Sequence, residues 1–356
     1  MASRPLVFLI HGMGKHDGTW AEGFVSTLDK CIVKHKYRNL VGRKISELVE
    51  FVPIVYDNYF EDTTAAWKKN SAAILEQASP AEKEIFESAV DWAAGLDPQS
   101  KAEEFAWTHA VDVLLWRAHP LIRNAVKTQV ADRITGSIVK RLKDNPADLL
   151  NTSIVSHSLG TSVCKHVLED LSRGGWSMGR TGFDPTFFHF TSLHTVANIC
   201  ALLDFPGYYG AYAGFVKPGP SGDPDSYCKY FACYANQFDP FAVVRPFEPP
   251  QWNHDMFDVK RVNHVHDLNV HALEHYALHP LVHITMFRSW LGYHTVPAEE
   301  EITAISNFAT IGPKITKAAQ NRLKELVSRS SGAIGSTPDL VDVLKGITLF
   351  YREVKP

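Results

Sequence analysis

Two short stretches carry most of the reactive potential of this sequence. The first is Thr152-Ser-Ile-Val-Ser156-His157-Ser158-Leu159-Gly160-Thr-Ser, where an apolar run meets a turn and a helical pattern begins at once. A serine at the apex of a strand-turn-helix can act as a nucleophile, because the sharp bend lifts its hydroxyl clear of the sheet. The bend presses the positions two before and two after the serine against each other and against neighbouring strands, so both must be small. Ser156 and Gly160 meet that demand. A serine that merely caps the next helix fits the same local pattern. The second stretch is His11-Gly12-Met13-Gly14, which ends an apolar run from Leu6 to Ile10. Glycines on both sides of Met13 let the chain turn a main-chain amide inward. Together with the amide of Leu159 it would form an oxyanion hole, each donor worth about 3–4 kcal/mol in the transition state. A phosphate-loop reading of His-Gly-Met-Gly lacks the Gly-Lys-Ser/Thr that should follow; Lys15 precedes His16.

The strand with HGMG, the strand with SHSLG and the later Asn236-Gln-Phe-Asp239-Pro240 together resemble a lipase- or esterase-like member of the α/β-hydrolase superfamily. The resemblance covers residues 5–58 and 146–290. It departs at Ser156, where glycine is usual, and at Thr195-Val-Ala-Asn198, where lipases often have Gly-Ser-Pro. It implies Ser158 as nucleophile, Met13 and Leu159 as oxyanion donors, and then an acid and a histidine in that order along the chain. Asp239, closed off by Pro240, is the preferred acid and Asp204 its rival; an Asx turn before proline also accounts for Asp239 locally. For the base, His271, His275, His279 and His283 follow one another at four-residue steps. His271 comes first after the last expected strand and is preferred, with His275 as the alternative; His157 reads as structural. The implied activity is cleavage of a carboxylic ester, a lipid or other small acyl ester preferred, through an acyl-enzyme and without a cofactor or metal.

Two other readings compete. His271-Ala-Leu-Glu274-His275 has the spacing of an inverted zinc-protease motif. Histidines four apart on a helix can share a metal, with Glu274 as base and a third ligand from Glu300, Glu301 or Glu325. In a chain with 17 histidines such a short pattern also arises by chance. The third reading is a catalytically inactive binding protein, since a fold alone does not establish activity.

The elements that must hold these residues alternate between strand and helix. Apolar runs at 6–10, 49–56, 152–155, 187–196, 227–235 and 261–265 read as strands, and helical spacing is clear at 18–33 and 161–171. This pattern predicts an α/β fold, a mostly parallel central sheet with helices on both faces. Pro53 within the second run calls for a sheet position that tolerates a missing donor. Residues 59–145 show no strand signal. They read as helices broken at Pro80, Pro98 and Pro120, a helical insertion that would form a cap or lid beside one crossover helix, with Trp67, Trp92, Trp107 and Trp116. Residues 1–58 and 146–295 would form the core, with a loop at 205–224 near the sheet edge. Residues 296–356 would form a helical extension with a break at Gly312-Pro313 and a short apolar run at 347–351.

The chain has 356 residues and a formal net charge of -3, which argues against nucleic acid as a main partner. The basic run at 127–143 contains Asp132 and reads as a solvated helix face. No run approaches the roughly 18–20 apolar residues of a membrane span, and 6–10 is too short for a signal peptide's apolar region. Five cysteines without a C-x-x-C pair suit buried, reduced thiols and a cytoplasmic setting, with room for transient contact with a membrane surface.

Overall fold

The computed structural model describes residues 4–14, 16–60, 112–113, 115–117, 119–144, 151–172, 188–203, 217–221, 223, 226–247, 252, 255–266, 269–309, 317–330 and 337–353. Its centre is a seven-stranded sheet: β1 (Leu6–Ile10), β2 (Glu50–Ile54), β3 (Thr152–His157), β4 (Phe190–Val196), β5 (Lys217–Pro218), β6 (Ser226–Asn236) and β7 (Phe257–Val262). The order is β2-β1-β3-β4-β6, with β5 and β7 sharing the outer side of β6, and every pairing is parallel. The chain therefore has an α/β fold.

β1 is wholly apolar because both of its faces are covered. Leu6, Phe8 and Ile10 enter one core with the helices Pro120–Asp144 and Leu159–Ser172. Val7 and Leu9 point the other way, into a second core with the helices Ala21–His35 and Pro280–Leu291. Ile154 and Val155 of β3 divide in the same manner. Pro53 sits on β2 opposite Leu9, and among the described residues β2 pairs with β1 alone, so one row of its hydrogen-bonding groups is spared.

Several boundaries differ from the sequence reading. Pro120 begins a helix rather than breaking one, its fixed φ suiting the first helical position. That helix buries Ile122, Val126, Val130, Ile134 and Ile138 along one side and is the crossover from β2 to β3. It belongs to the core. Trp116 is also buried in that core, with Nε1 donating to Ser162 Oγ at 2.9 Å. The remaining expected cap, with Trp67, Trp92 and Trp107, and most of the loop at 205–224 lie outside the described residues. The strand expected at 261–265 is instead Phe257–Val262; Asp258, Lys260 and Arg261 on this outer strand mask its apolar positions. The apolar run at 347–351 is the end of the helix Thr337–Glu353, whose Leu340, Leu344, Ile347 and Tyr351 are buried at helical spacing. All five cysteines are free and buried, and among the described residues no helix is long and apolar enough to cross a membrane.

Candidate active site

Ser158 follows β3 directly and has φ 54°, the left-handed region that L-residues rarely occupy. Its amide donates to Val196 O at 2.9 Å, tying the bend to the end of β4. The crowding anticipated from the small residues is severe. A Cβ on Gly160 would lie 2.1 Å from His11 O and 2.7 Å from Ile10 O, so only glycine lets the helix start against β1. A Cβ on Gly12 would lie 2.8 Å from Ser158 Cβ, which places the His11–Gly14 loop against the serine. β1 and β3 are adjacent, with Ile10 opposite Ser156, so loop and elbow leave the sheet side by side. Ser156 Oγ lies 3.5 Å from His194 O, an acceptor for the hydroxyl that glycine would not carry. At the Thr195–Asn198 departure, Ala197 takes φ 49° and its amide donates to Tyr234 O at 3.0 Å.

Three of the singled-out side chains meet at this elbow. His271 Nε2 is 2.7 Å from Ser158 Oγ, and His271 Nδ1 is 2.8 Å from Asp239 Oδ2. Asp239 Oδ2 also accepts from Tyr276 Oη at 2.7 Å, while Oδ1 accepts from the Phe241 amide at 3.0 Å. Tyr276 Oη in turn accepts from the Asn236 amide at 2.9 Å. Burial first, and the Asp239 carboxylate second, push the Tyr276 phenol well above its ordinary value, so it stays a donor. A carboxylate accepts only, which puts the His271 proton on Nδ1 and leaves Nε2 to accept from the serine hydroxyl. Ser158 and Asp239 are 0% exposed and His271 is 2% exposed, so these bonds face no competing bulk water. His157 Nε2 donates to His271 O at 2.7 Å and anchors the segment that carries the imidazole. Asp204 lies outside the described residues.

The four histidines, though spaced at helical steps, do not share one helix. His271 precedes the helix Leu273–Ala277, and His279 caps the next helix, Pro280–Leu291, by accepting from the Leu281 amide. His275 is turned from the serine: its ring stacks on His264 at 4.2 Å, and Nε2 accepts from the His266 amide at 2.9 Å. The zinc arrangement is not assembled either. His271 spends both nitrogens on Ser158 and Asp239, and the Glu274 carboxylate lies against Gly23 on the helix Ala21–His35. Glu300, Glu301 and Glu325 pair with Arg38, Arg288 and Arg322.

Among the described residues, one group brings three metal-ligating atoms within 4.8 Å of one another: His11, His16 and Asp57. Its two imidazoles stack, with centroids 4.1 Å apart and planes at 23°, so their in-plane lone pairs run side by side instead of converging. The trio is better described as two imidazoles sharing one carboxylate. Leu159 opens its helix, and its amide is one of the first-turn donors that no helical carbonyl can reach. Met13 is buried between Gly12 and Gly14.

Sequence reasoning missed Tyr276, the link from His157 to the His271 carbonyl, and Asp57. Only the position of Asp57 just beyond β2, on the same rim as the serine, could have drawn notice. No protein-family model and no curated protein matches this sequence.

Proposed function

We propose that this chain is a serine hydrolase that cleaves a carboxylic ester, preferably a lipid or other acyl ester, through an acyl-enzyme. One observation carries the reading: the unbroken hydrogen-bonded series from Ser158 Oγ through His271 to Asp239, at 2.7 and 2.8 Å, on a serine held at φ 54°. In the proposed reaction His271 Nε2 takes the hydroxyl proton as Oγ attacks the carbonyl carbon. The oxyanion is held by the amides of Met13 and Leu159, and the imidazolium is stabilised by Asp239. Nε2 then gives its proton to the ester oxygen as the C–O bond breaks and the alcohol leaves. Water attacks the acyl-serine with His271 again as base, and the returning proton restores Oγ as the carboxylic acid departs. An apolar acyl group is favoured by the surroundings. The Phe241 ring lies 4.6 Å from His271, and Met13, Leu159, Trp116 and Tyr351 belong to the same apolar cluster.

The test is hydrolysis of p-nitrophenyl esters of increasing chain length by wild type and Ser158→Ala, with a fluorophosphonate label mapped by mass spectrometry. Ser158→Ala is expected to lose about 10⁴-fold or more in turnover, by the magnitude typical of triad substitutions. Equal rates in the two proteins, or a label on another residue, would overturn the assignment of Ser158 as nucleophile.

A further inference from the structure

We infer that Asp57 is a positioning residue for this reaction: it clamps the His11–Gly14 loop so that the Met13 amide meets the developing oxyanion. The inference rests on the hydrolase reading and assigns a role to a carboxylate that the triad does not use. Asp57 is 4% exposed and lies three residues beyond the end of β2, next to the loop that leaves β1. Its Oδ2 accepts from the backbone amide of His16 and, at 3.0 Å, from His16 Nδ1, while its Oδ1 lies 3.4 Å from His11 Nδ1. One carboxylate thereby bonds the His16 end of the segment in which Met13 sits and lies close to its His11 end.

The neighbours of the loop act in the same sense. Tyr56 Oη donates to His11 O at 2.6 Å, and the Gly14 amide donates to Asp112 Oδ2 at 2.8 Å. His11 is gripped between the rings of Tyr56 and His16, at 4.0 and 4.1 Å. Its Nε2 accepts from the Tyr56 amide at 3.3 Å, so its single proton is on Nδ1 and faces the Gly12 carbonyl and Asp57. Burial above all, and then the nearby His16, hold the His11 imidazole well below its ordinary value, which keeps that proton arrangement fixed. These bonds engage the His11 and Gly12 carbonyls before Met13 and the Gly14 amide after it. The chain is thus pinned on each side of Met13, with Gly12 pressed against Ser158. An oxyanion donor works through its fixed position, and a displacement on the order of 1 Å costs about 100-fold in rate.

Asp57→Asn separates this role from simple structural support. The amide retains one oxygen for the His16 backbone, but its –NH₂ then takes the place of Oδ1 and meets the His11 Nδ1–H, donor against donor. Kinetics on a p-nitrophenyl ester should show kcat lower by about 10–100-fold with KM within about two-fold of wild type. Affinity for an alkyl boronic acid, whose serine adduct carries a hydroxyl at the oxyanion position, should fall by a similar factor. Asp112→Asn, which weakens the grip on the Gly14 amide, should lower kcat in the same direction and gives the answer if Asp57→Asn fails to fold. With Ser158→Ala inactive and wild type active, unchanged kcat in these variants, or a change confined to KM, would overturn the clamp and leave the hydrolase reading standing. Zinc-dependent turnover in wild type that disappears in Asp57→Asn would give the trio to a metal and overturn it too. If wild type and Ser158→Ala are alike, both proposals fall.

Discussion

Acidifying the solution from about pH 7 to about pH 5.5 should remove about 5–6 kcal/mol of folding stability, a figure that follows from the imidazoles buried in this protein. Burial holds His194, His275, His279 and His283 at about 3 and His264 at about 4, all below the ordinary value of 6.5. Their hydrogen bonds agree with neutral rings. His283 Nε2 pairs with Tyr37 Oη at 2.7 Å while Nδ1 donates to Ala277 O, and His275 Nε2 accepts from a backbone amide. A proton on an accepting nitrogen would set donor against donor. The sign follows from which state binds more protons. Above about pH 7 neither state is protonated and the full stability is present; below about 6.5 the unfolded chain gains protons that the folded chain refuses. Each such histidine then contributes a loss of roughly 1 kcal/mol between about pH 7 and about pH 5.5, and the five together on the order of 5–6 kcal/mol. Since domains commonly have a stability of about 5–15 kcal/mol, the fold should be near collapse at the lower pH, above the range where most carboxylates titrate. Urea unfolding followed by far-UV circular dichroism at a series of pH values measures the loss directly. A loss below about 2 kcal/mol over this interval would refute the reasoning, since it would mean that the folded protein accommodates these protons.

Two further substitutions address the elbow and the acid. Gly160→Ala drives a methyl into the carbonyls of His11 and Ile10 and should destabilise by about 3 kcal/mol or more or prevent soluble expression; a melting temperature within a few degrees of wild type would contradict the packing described. Tyr276→Phe strips one donor from Asp239 and leaves the Asn236 amide without its acceptor, so denaturant unfolding should show a loss of about 1–3 kcal/mol. Because the bond from His271 to Asp239 remains, ester turnover should fall less than about 10-fold, and a fall as deep as that of Ser158→Ala would show that the phenol is part of the reacting group.

The parts of the fold legible from sequence were those whose pattern is set by burial on two faces. β1 is short and wholly apolar, β3 is short with Ile154 and Val155 at its centre, and they end at the loop and elbow where Gly12 and Gly160 are sterically required, so strand, turn and helix could be read together. Pro53 correctly pointed to a tolerant sheet position because β2, paired with β1 alone among the described residues, spares one row of donors. β7 was displaced in the reading because an outer strand with Asp258, Lys260 and Arg261 does not look buried. At the candidate site the residue types were visible but their selection was tertiary. What separates His271 from His275 is that a helix begins between them and turns the second ring toward His264. Tyr276 sits beside His275 in sequence, yet its phenol reaches the aspartate only because the helix Leu273–Ala277 packs beside the end of β6. No local spacing encodes that.

The all-parallel sheet has a consequence for how this chain is made. No two of its strands can pair as a hairpin, and β1, near the amino terminus, must wait for β3, about 150 residues later in synthesis, before its second edge is satisfied. Pairings of such long sequence separation form slowly, because the entropy of closing the loop is lost before any contact is gained. A nascent chain stopped short of β3 would hold the wholly apolar β1 with one side unmet, a segment suited to capture by a chaperone or to aggregation. The backbone bond of Ser158, to Val196, closes only after β4 has emerged, so the geometry of the elbow arises late, once most of the sheet is already built.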